Sequence, residues 1–76
     1  MSRLTIIFDK DMIKLLQSLG FSEVRQNGSH KFFAHSNGRC TVVPVHGKDL
    51  KRGLIKGILN DIGITDDEYE EIRKKL

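Results

Sequence analysis

The chain of 76 residues contains one cysteine, one proline, no tryptophan and no apolar run long enough to cross a bilayer. The lone Cys40 excludes an internal disulfide framework and fits a reducing compartment. The short apolar runs exclude a transmembrane helix, and Met1–Lys10 lacks the basic leader and apolar stretch of a signal peptide. Because this length supports one hydrophobic core, we expect a single cytoplasmic domain over residues 1–76.

Charge is unevenly distributed along the chain, although the net charge is only +3. Residues 1–24 are neutral overall and residues 57–76 carry a charge of −3. The basic segment, residues 25–56, carries seven basic side chains against the single acid Asp49. Such a segment attracts polyanions, because neutralised phosphates release condensed counterions. It also fits a solvated surface with no partner, so charge alone is a weak indication of nucleic-acid binding.

The amino-terminal part of the chain predicts an extended segment followed by a helix. Apolar residues recur at helical spacing up to Gly20, which suits the left-handed position just after a helix. Asp9 is the expected N-cap, since its carboxylate can accept hydrogen bonds from the unpaired N–H groups of the first turn. Arg3–Phe8 is expected to form either an extended lead-in packed over the domain edge or a short strand.

Two further helices are predicted after the strands. The first should run from about Lys51 to Asp61, and Gly53 and Gly57 within it are expected to permit close packing. Thr65 and Glu68 have the spacing of a capping box, which predicts the start of a last helix that continues to the end of the sequence.

Between the first two helices the hydrophobic spacing changes to two. This spacing predicts strands at Phe21–Gln26, His30–Ser36 and Arg39–Val45. Pro44 lacks an N–H group, which places the third strand at a sheet edge or near its own end. Short connections keep the helices on one side of the sheet. The expected fold is therefore α+β: helix, three-stranded antiparallel sheet, helix, and an added carboxyl-terminal helix.

The Asn37-Gly38 dipeptide favours a two-residue type I′ turn, which sets the register of the last two strands. In that register His30 is opposite Val45. The more apolar face is the expected core face and consists of His30, Phe32, Ala34, Thr41, Val43 and Val45. Phe33 then lies on the other face, where it either stacks on a nucleic-acid base or is covered by a partner or the last helix.

The segment Gly28-Ser29-His30 combines groups that metal-free RNA cleavage requires. Imidazole exchanges protons near neutral pH and is suited to remove the proton of a ribose 2′-hydroxyl group. Gly28 lets a phosphodiester approach the backbone, Ser29 offers a hydroxyl and an N–H group, and Lys31 offers a cation. The alternative is that His30 only begins a strand and bonds a nearby carbonyl group.

The other histidines raise the questions of an accessory group and of a metal site. His46 follows the residue opposite His30, so it is a candidate second acid or base or a candidate phosphate contact. The alternative is that it bonds the turn between the strand and the helix. His35 and Cys40 are expected cross-strand neighbours, but His30 lies on the other face, so these groups cannot converge on zinc. Because Asp49 is the only acid of the basic segment, we expect neither a magnesium site nor a cofactor.

Four features occur in a defined order: the helix end Leu15–Phe21, the Gly28-Ser29-His30 turn followed by Phe32 and Phe33, the strand end Val43–His46, and the helix Lys51–Gly63 with Ile64. In these features the chain resembles the HicA-family toxins, small mRNA interferases of bacterial and archaeal toxin–antitoxin pairs. The resemblance covers a core of about residues 9–64. Met1–Phe8 is longer than the usual lead-in, and residues 65–76 form a helical appendix that many members lack.

The resemblance implies a double-stranded-RNA-binding-domain-like fold, ribosome-independent cleavage of mRNA and neutralisation by a HicB-type antitoxin. It places the catalytic residue at His30. The residues that we predict to bind RNA are Arg25, Gly28, Ser29, Lys31, Lys48, Lys51 and Arg52. Lys48 and Lys51 are chosen partly by the resemblance, since the junction between sheet and second helix faces RNA in the related fold. Neither a membrane nor a small-molecule cofactor is an expected partner.

Two other classes of function stay open. In one, the chain is a catalytically silent RNA-binding module of the same fold, and His30 has no role. In the other it is a protein-interaction module, in which Lys51, Arg52 and Lys56 dock an acidic partner. The Gly-Ser-His turn favours the ribonuclease over the silent module. Partner docking is compatible with the ribonuclease, because an antitoxin can cover the RNA site.

Overall fold

The secondary structure follows the periodicity of the sequence over residues 4–76, the part of the chain that this computed structural model describes. The helices and strands are α1 (Asp9–Ser18), β1 (Ser22–Asn27), β2 (His30–Ala34), β3 (Cys40–Pro44), α2 (Arg52–Ile62) and α3 (Asp66–Lys74). The strands form one antiparallel sheet with β2 in the centre. This confirms the predicted α+β, double-stranded-RNA-binding-domain-like fold with an added carboxyl-terminal helix. Arg3, the first residue of the predicted lead-in, lies outside the described residues.

The ends of the helices agree with the sequence patterns, but two glycines inside α2 do not. Gly20 and Gly63 directly follow the last turns of α1 and α2, and α2 lies within one residue of its predicted bounds. The Thr65–Glu68 capping box is present at the start of α3. A Cβ atom built at Gly53 or Gly57 meets no atom within 4 Å. The expectation of close packing at these two glycines is therefore wrong, because both face open space.

One hydrophobic core lies between the helices and one face of the sheet. Each layer contributes side chains without exposed surface, such as Leu15 of α1, Ile55 of α2 and Val43 of β3. Burying one such side chain stabilises the fold by about 1.5–3 kcal/mol. Pro44 ends β3, which is an edge strand as the missing N–H group predicted. Within residues 4–76, no helix has the length and apolar character needed to cross a membrane.

The residues before α1 form an extended lead-in that is fastened to α3. The N–H and hydroxyl groups of Thr5 each donate to the Glu70 carboxylate at 2.9 Å, and the Tyr69 hydroxyl donates to the Thr5 carbonyl oxygen. The Arg52 Nε donates to the Leu4 carbonyl oxygen at 2.9 Å. Burial, and then the nearby charge of Glu70, raises the pKa of Tyr69 to about 12. The lead-in packed over the domain edge is therefore the alternative that the structure confirms.

The loop between β2 and β3 is one residue longer than predicted. Ser36–Gly38 form a three-residue loop, which is closed by the His35 N–H group donating to the Arg39 carbonyl oxygen at 2.9 Å. Gly38 has a φ of 90°, a left-handed conformation that glycine adopts easily and that such loops require. The predicted two-residue turn is therefore wrong, because Asn-Gly is compatible with both loop lengths.

In this shifted register, the residues of β2 that were expected on the core face point outward, and those expected to point outward face the core. His30 lies opposite Pro44, and Phe33 lies opposite Thr41. Phe33 is fully buried in the core together with Val43. The predicted core face is correct for Thr41 and Val43 but wrong for β2, because a shift of one residue exchanges the two faces of a strand. The outward-facing residues of β2 are His30, Phe32 and Ala34.

Paired truncations of the two neighbouring phenylalanines test this register. Phe33→Ala is expected to lower the free energy of unfolding by about 3–5 kcal/mol, because it opens a cavity in the core. Phe32→Ala is expected to cost only about 1–2 kcal/mol, since its ring is half-buried and contacts one cation. Urea unfolding of both variants gives the comparison, and a larger loss for Phe32→Ala would contradict the register.

Candidate functional site

The tight turn before β2 places His30 at one end of the sheet. Asn27 of β1 pairs with His30, so Gly28 and Ser29 are the two loop residues. Gly28 has a φ of 61°, which other residues rarely adopt. The Ser29 carbonyl oxygen accepts a hydrogen bond from the Val45 N–H group, with an N···O distance of 2.7 Å. The turn therefore lies directly beside the segment that follows β3.

The His30 side chain is exposed on the outward face of the sheet. Within residues 4–76, no hydrogen bond, ion pair or ring contact involves its imidazole. The alternative in which His30 bonds a nearby carbonyl group is therefore not realised in the described part of the chain. An imidazole with both nitrogens open can accept a proton at one and donate a proton from the other.

A cleft of about 210 Å³ opens between the end of β3 and the start of α2. Its apolar lining consists of Pro44, Leu50 and Leu54, and its polar lining consists of Asp9, His46, Lys48, Asp49 and Lys51. His30 is not one of the lining residues, but its partner in the ladder, Pro44, is, so the cleft lies next to the end of β2 at which His30 is found. Lys51 is the N-cap residue of α2 and makes no side-chain capping bond. The first N–H groups of α2 thus keep their capacity to bind an anion.

The loop that forms this cleft is held by the buried carboxylate of Asp9. Asp9 Oδ2 accepts hydrogen bonds from the His46 and Gly47 N–H groups at 2.8 and 2.7 Å, and Oδ1 accepts from the Lys10 N–H group at 2.7 Å. Burial raises the pKa of Asp9, but hydrogen bonds from backbone N–H groups outweigh it and bring the pKa below the ordinary 3.8. The predicted N-cap role is wrong, because Phe8 occupies that position. The sequence does not distinguish an aspartate that caps its own helix from one that accepts hydrogen bonds from a distant loop.

The predicted RNA-binding lysines and arginines have different surroundings. Lys48 and Lys51 are exposed at the cleft, and neither has an ion-pair partner within residues 4–76. Arg52 is exposed, but its Nε donates a hydrogen bond to the Leu4 carbonyl oxygen of the lead-in. Lys31 is part of an ion pair with Glu23, with Nζ and Oε1 3.3 Å apart. Of these predicted residues, the two cations without a partner within residues 4–76, Lys48 and Lys51, thus both lie at the cleft.

Arg25 lies with the aromatic residue that remains outside the core. It pairs with Phe32 across β1 and β2, and its guanidinium carbon lies 4.3 Å from the centre of the Phe32 ring. Strand alternation puts both residues on the outward face that carries His30. Because Phe33 is buried, the expectation that it stacks on a base is wrong. The half-buried Phe32 offers an aromatic ring on the exposed face instead.

The candidate metal ligands His30, His35 and Cys40 do not converge in the structure. Cys40 lies opposite Ala34, so the predicted cross-strand pairing of His35 with Cys40 is wrong. The His35 ring packs against Phe21, with ring centroids 5.1 Å apart. His30 shares a face with Cys40 but is four positions from Ala34 along β2, which is about 13 Å. Among residues 4–76, no group of three or more histidine, cysteine or acidic side chains is arranged to hold a metal ion.

Comparison with known proteins relates this geometry to one family. The family described as the HicA toxin of bacterial toxin–antitoxin systems has a model that matches residues 10–64 of the 76-residue chain. The match includes the Gly28-Ser29-His30 turn, β3 and α2. It leaves out the whole lead-in, Asp9 and the whole of α3. No curated protein matches the chain.

Replacement of Asp9 by asparagine tests whether its charge holds the loop. Asp9→Asn is expected to lower the free energy of unfolding at neutral pH by about 1–3 kcal/mol, because an amide cannot accept every N–H bond of a carboxylate. The folded-state pKa is lowered, so the stabilisation is complete above about pH 4 and disappears as the pH falls through the folded value. The difference in free energy of unfolding between the wild type and Asp9→Asn should therefore shrink at low pH, and urea unfolding between pH 2 and 7 measures it. Asp11→Asn is the matched control, and a pH-independent difference for Asp9→Asn would contradict the role.

Proposed function

Because this chain belongs to the HicA toxin family of bacterial toxin–antitoxin systems, we propose that it is an endoribonuclease that cleaves mRNA without a metal cofactor. One observation carries the proposal. The His30 imidazole is exposed at the end of the sheet, and it has no intramolecular partner within residues 4–76. Its ladder partner Pro44 lines a cleft that also carries Lys48, Lys51 and the start of α2. These are the groups that cleavage at a phosphodiester requires.

In the proposed reaction His30 acts as the acid/base. It accepts the proton of a ribose 2′-hydroxyl group, and the 2′-oxygen attacks the adjacent phosphorus. The bond from phosphorus to the 5′-oxygen breaks, and that oxygen takes a proton as it leaves. The products are a 2′,3′-cyclic phosphate and a 5′-hydroxyl end. His46, which lines the neighbouring cleft, is the proposed accessory group for the second proton.

The cations and N–H groups of the cleft would stabilise the charge that develops on the phosphate oxygens. Lys48 and Lys51 supply positive charge at the cleft, and the first turn of α2 adds the positive end of its dipole. Gly28 and Ser29 would let the backbone approach the RNA, since open space surrounds the position of a Gly28 Cβ atom. The contacts proposed for Arg25, Lys31 and Arg52 lie further from the cleft. They would bind phosphates on either side of the cleaved bond.

A HicB-type antitoxin is the proposed partner that neutralises this activity. Family membership supports an antitoxin of some kind. An antitoxin that covers the cleft would block His30 and the lysines together, and acidic groups on it would complement the basic segment. The remaining alternative is a catalytically silent module that binds RNA or the antitoxin through the same surface, and the next experiments distinguish it from the ribonuclease.

Replacement of His30 separates chemistry from binding. His30→Ala is expected to lower the rate of RNA cleavage by about 10²–10⁴-fold, because the general acid/base is lost. RNA affinity should change little, since the phosphate contacts remain. The measurement is cleavage of a 5′-labelled transcript with and without EDTA, with analysis of the product ends.

Two results would contradict this role. One is undiminished cleavage by purified His30→Ala, and the other is cleavage that requires an added divalent ion. His35→Ala is the matched control, because His35 packs against Phe21 on another part of the sheet.

Salt dependence tests the proposed phosphate contacts in a His30→Ala background, where the RNA stays intact. Lys48→Ala and Lys51→Ala are each expected to weaken binding of all sequences alike and to reduce the slope of log K against log salt by about one unit. Lys14→Ala is the control, since Lys14 is also exposed but lies in α1. If neither Lys48→Ala nor Lys51→Ala changes the affinity or the slope, these lysines do not contact RNA, and docking of a protein partner is their remaining role.

A further inference from the structure

The cleft beside His30 has two kinds of lining that no single phosphate would use. The apolar part of the lining consists of Pro44, Leu50 and Leu54. The lining also includes His46, Lys48 and Lys51, all of which are exposed. A ligand that fits both parts has an apolar body joined to an anion. In RNA, a nucleobase joined through its ribose to a phosphate has this character.

Two acids also line the cleft, and they differ in what they can bind. Asp9 is buried, and its oxygens accept hydrogen bonds from backbone N–H groups of the loop. Asp49 is exposed, and within residues 4–76 its carboxylate has no hydrogen bond or ion pair. Its backbone is fixed, because Phe8 and Asp49 form a bridge between the lead-in and the loop. Asp49 thus presents, from a backbone position held by this bridge, an acceptor that has no partner within residues 4–76, beside the exposed cations of the cleft.

A lone carboxylate among cations repels phosphate and weakens its binding. A ligand group that suits this carboxylate is an uncharged hydrogen-bond donor. The exocyclic amino groups of cytosine and adenine are such donors, and an aspartate accepts from the N4 amino group of cytosine in known modes of base recognition. Bases in single-stranded RNA are available for this contact, because they can be splayed out of a stack and bound at their Watson–Crick edge.

We propose that this cleft binds the base of a nucleotide adjoining the cleaved phosphate and that Asp49 selects bases with an exocyclic amino group. The base packs against Pro44 and Leu54, while Lys48 and Lys51 hold the flanking phosphates. This inference rests on the proposed ribonuclease function and adds a specificity-determining residue to it. The cations favour RNA over an apolar side chain of the antitoxin as the occupant, because only the RNA base is attached to phosphates on both sides.

Binding of two RNA decamers to the His30→Ala protein tests this assignment. Decacytidylate and decauridylate are both pyrimidine single strands with equal charge, and only the first has exocyclic amino groups. The His30→Ala protein is expected to bind decacytidylate about tenfold more tightly, as one hydrogen bond to a charged group allows. Adding Asp49→Ala should make the two affinities equal. Adding Asp67→Ala is the matched control, because it removes the same charge from exposed α3 and should keep the preference.

Each other outcome overturns the inference in a distinguishable way. Equal affinities for the two decamers in the His30→Ala protein, or a preference that persists in Asp49→Ala, would exclude base selection by Asp49 while leaving RNA binding intact. If Leu54→Asp abolishes antitoxin binding but leaves the decamer preference unchanged, the cleft is an antitoxin contact and not a base site. Failure of the protein to bind either decamer, together with absence of mRNA cleavage by the wild type, would reject the proposed function itself.

Discussion

The contacts of the Asp9 carboxylate are the constraint on which the candidate site depends. This one buried group accepts hydrogen bonds from two successive N–H groups of the loop after β3, and it lies at the first position of α1. The loop that it holds carries His46, Lys48 and Asp49 and leads into α2. A carboxylate buried without these bonds would be strongly destabilising, so the loop conformation and the burial of Asp9 require each other. The exposed loop that forms the cleft is therefore anchored to the folded core through Asp9.

The positions of the helices and strands were predictable, because each depends on periodicity and punctuation within a few residues. The register of the hairpin was not, since Asn37-Gly38 is compatible with a turn of two residues and with a loop of three. That single residue decides which phenylalanine enters the core and which one remains outside beside Arg25. The packing expected at Gly53 and Gly57 failed for a related reason. A glycine in a helical pattern does not indicate whether its open side faces the protein or solvent.

The parts of the candidate site that were predictable are those indicated by a few neighbouring residues in the sequence. The Gly28-Ser29-His30 turn and the lysines before α2 are visible in the sequence, and the fold brings them to one end of the sheet. The contacts of Asp9 were not predictable, because its partners lie 37 and 38 positions away. The contact between the lead-in and α3 joins residues that are still further apart in the sequence, since Thr5 and Glu70 are 65 positions apart. The lead-in and α3 lie entirely outside the matched family residues. They nevertheless bind each other, and the Leu4 carbonyl oxygen of the lead-in accepts a hydrogen bond from Arg52 at the start of α2.

The most direct test of the central claim is a nuclear magnetic resonance titration of the labelled protein with a 2′-O-methyl RNA decamer, which binds but cannot be cleaved. If the end of the sheet at His30 is the RNA site, the largest shift changes will fall on residues 28–31 and 44–54, with little change on α3. Changes that cluster on α3 or on the lead-in, or no changes at RNA concentrations that saturate binding, would contradict the account.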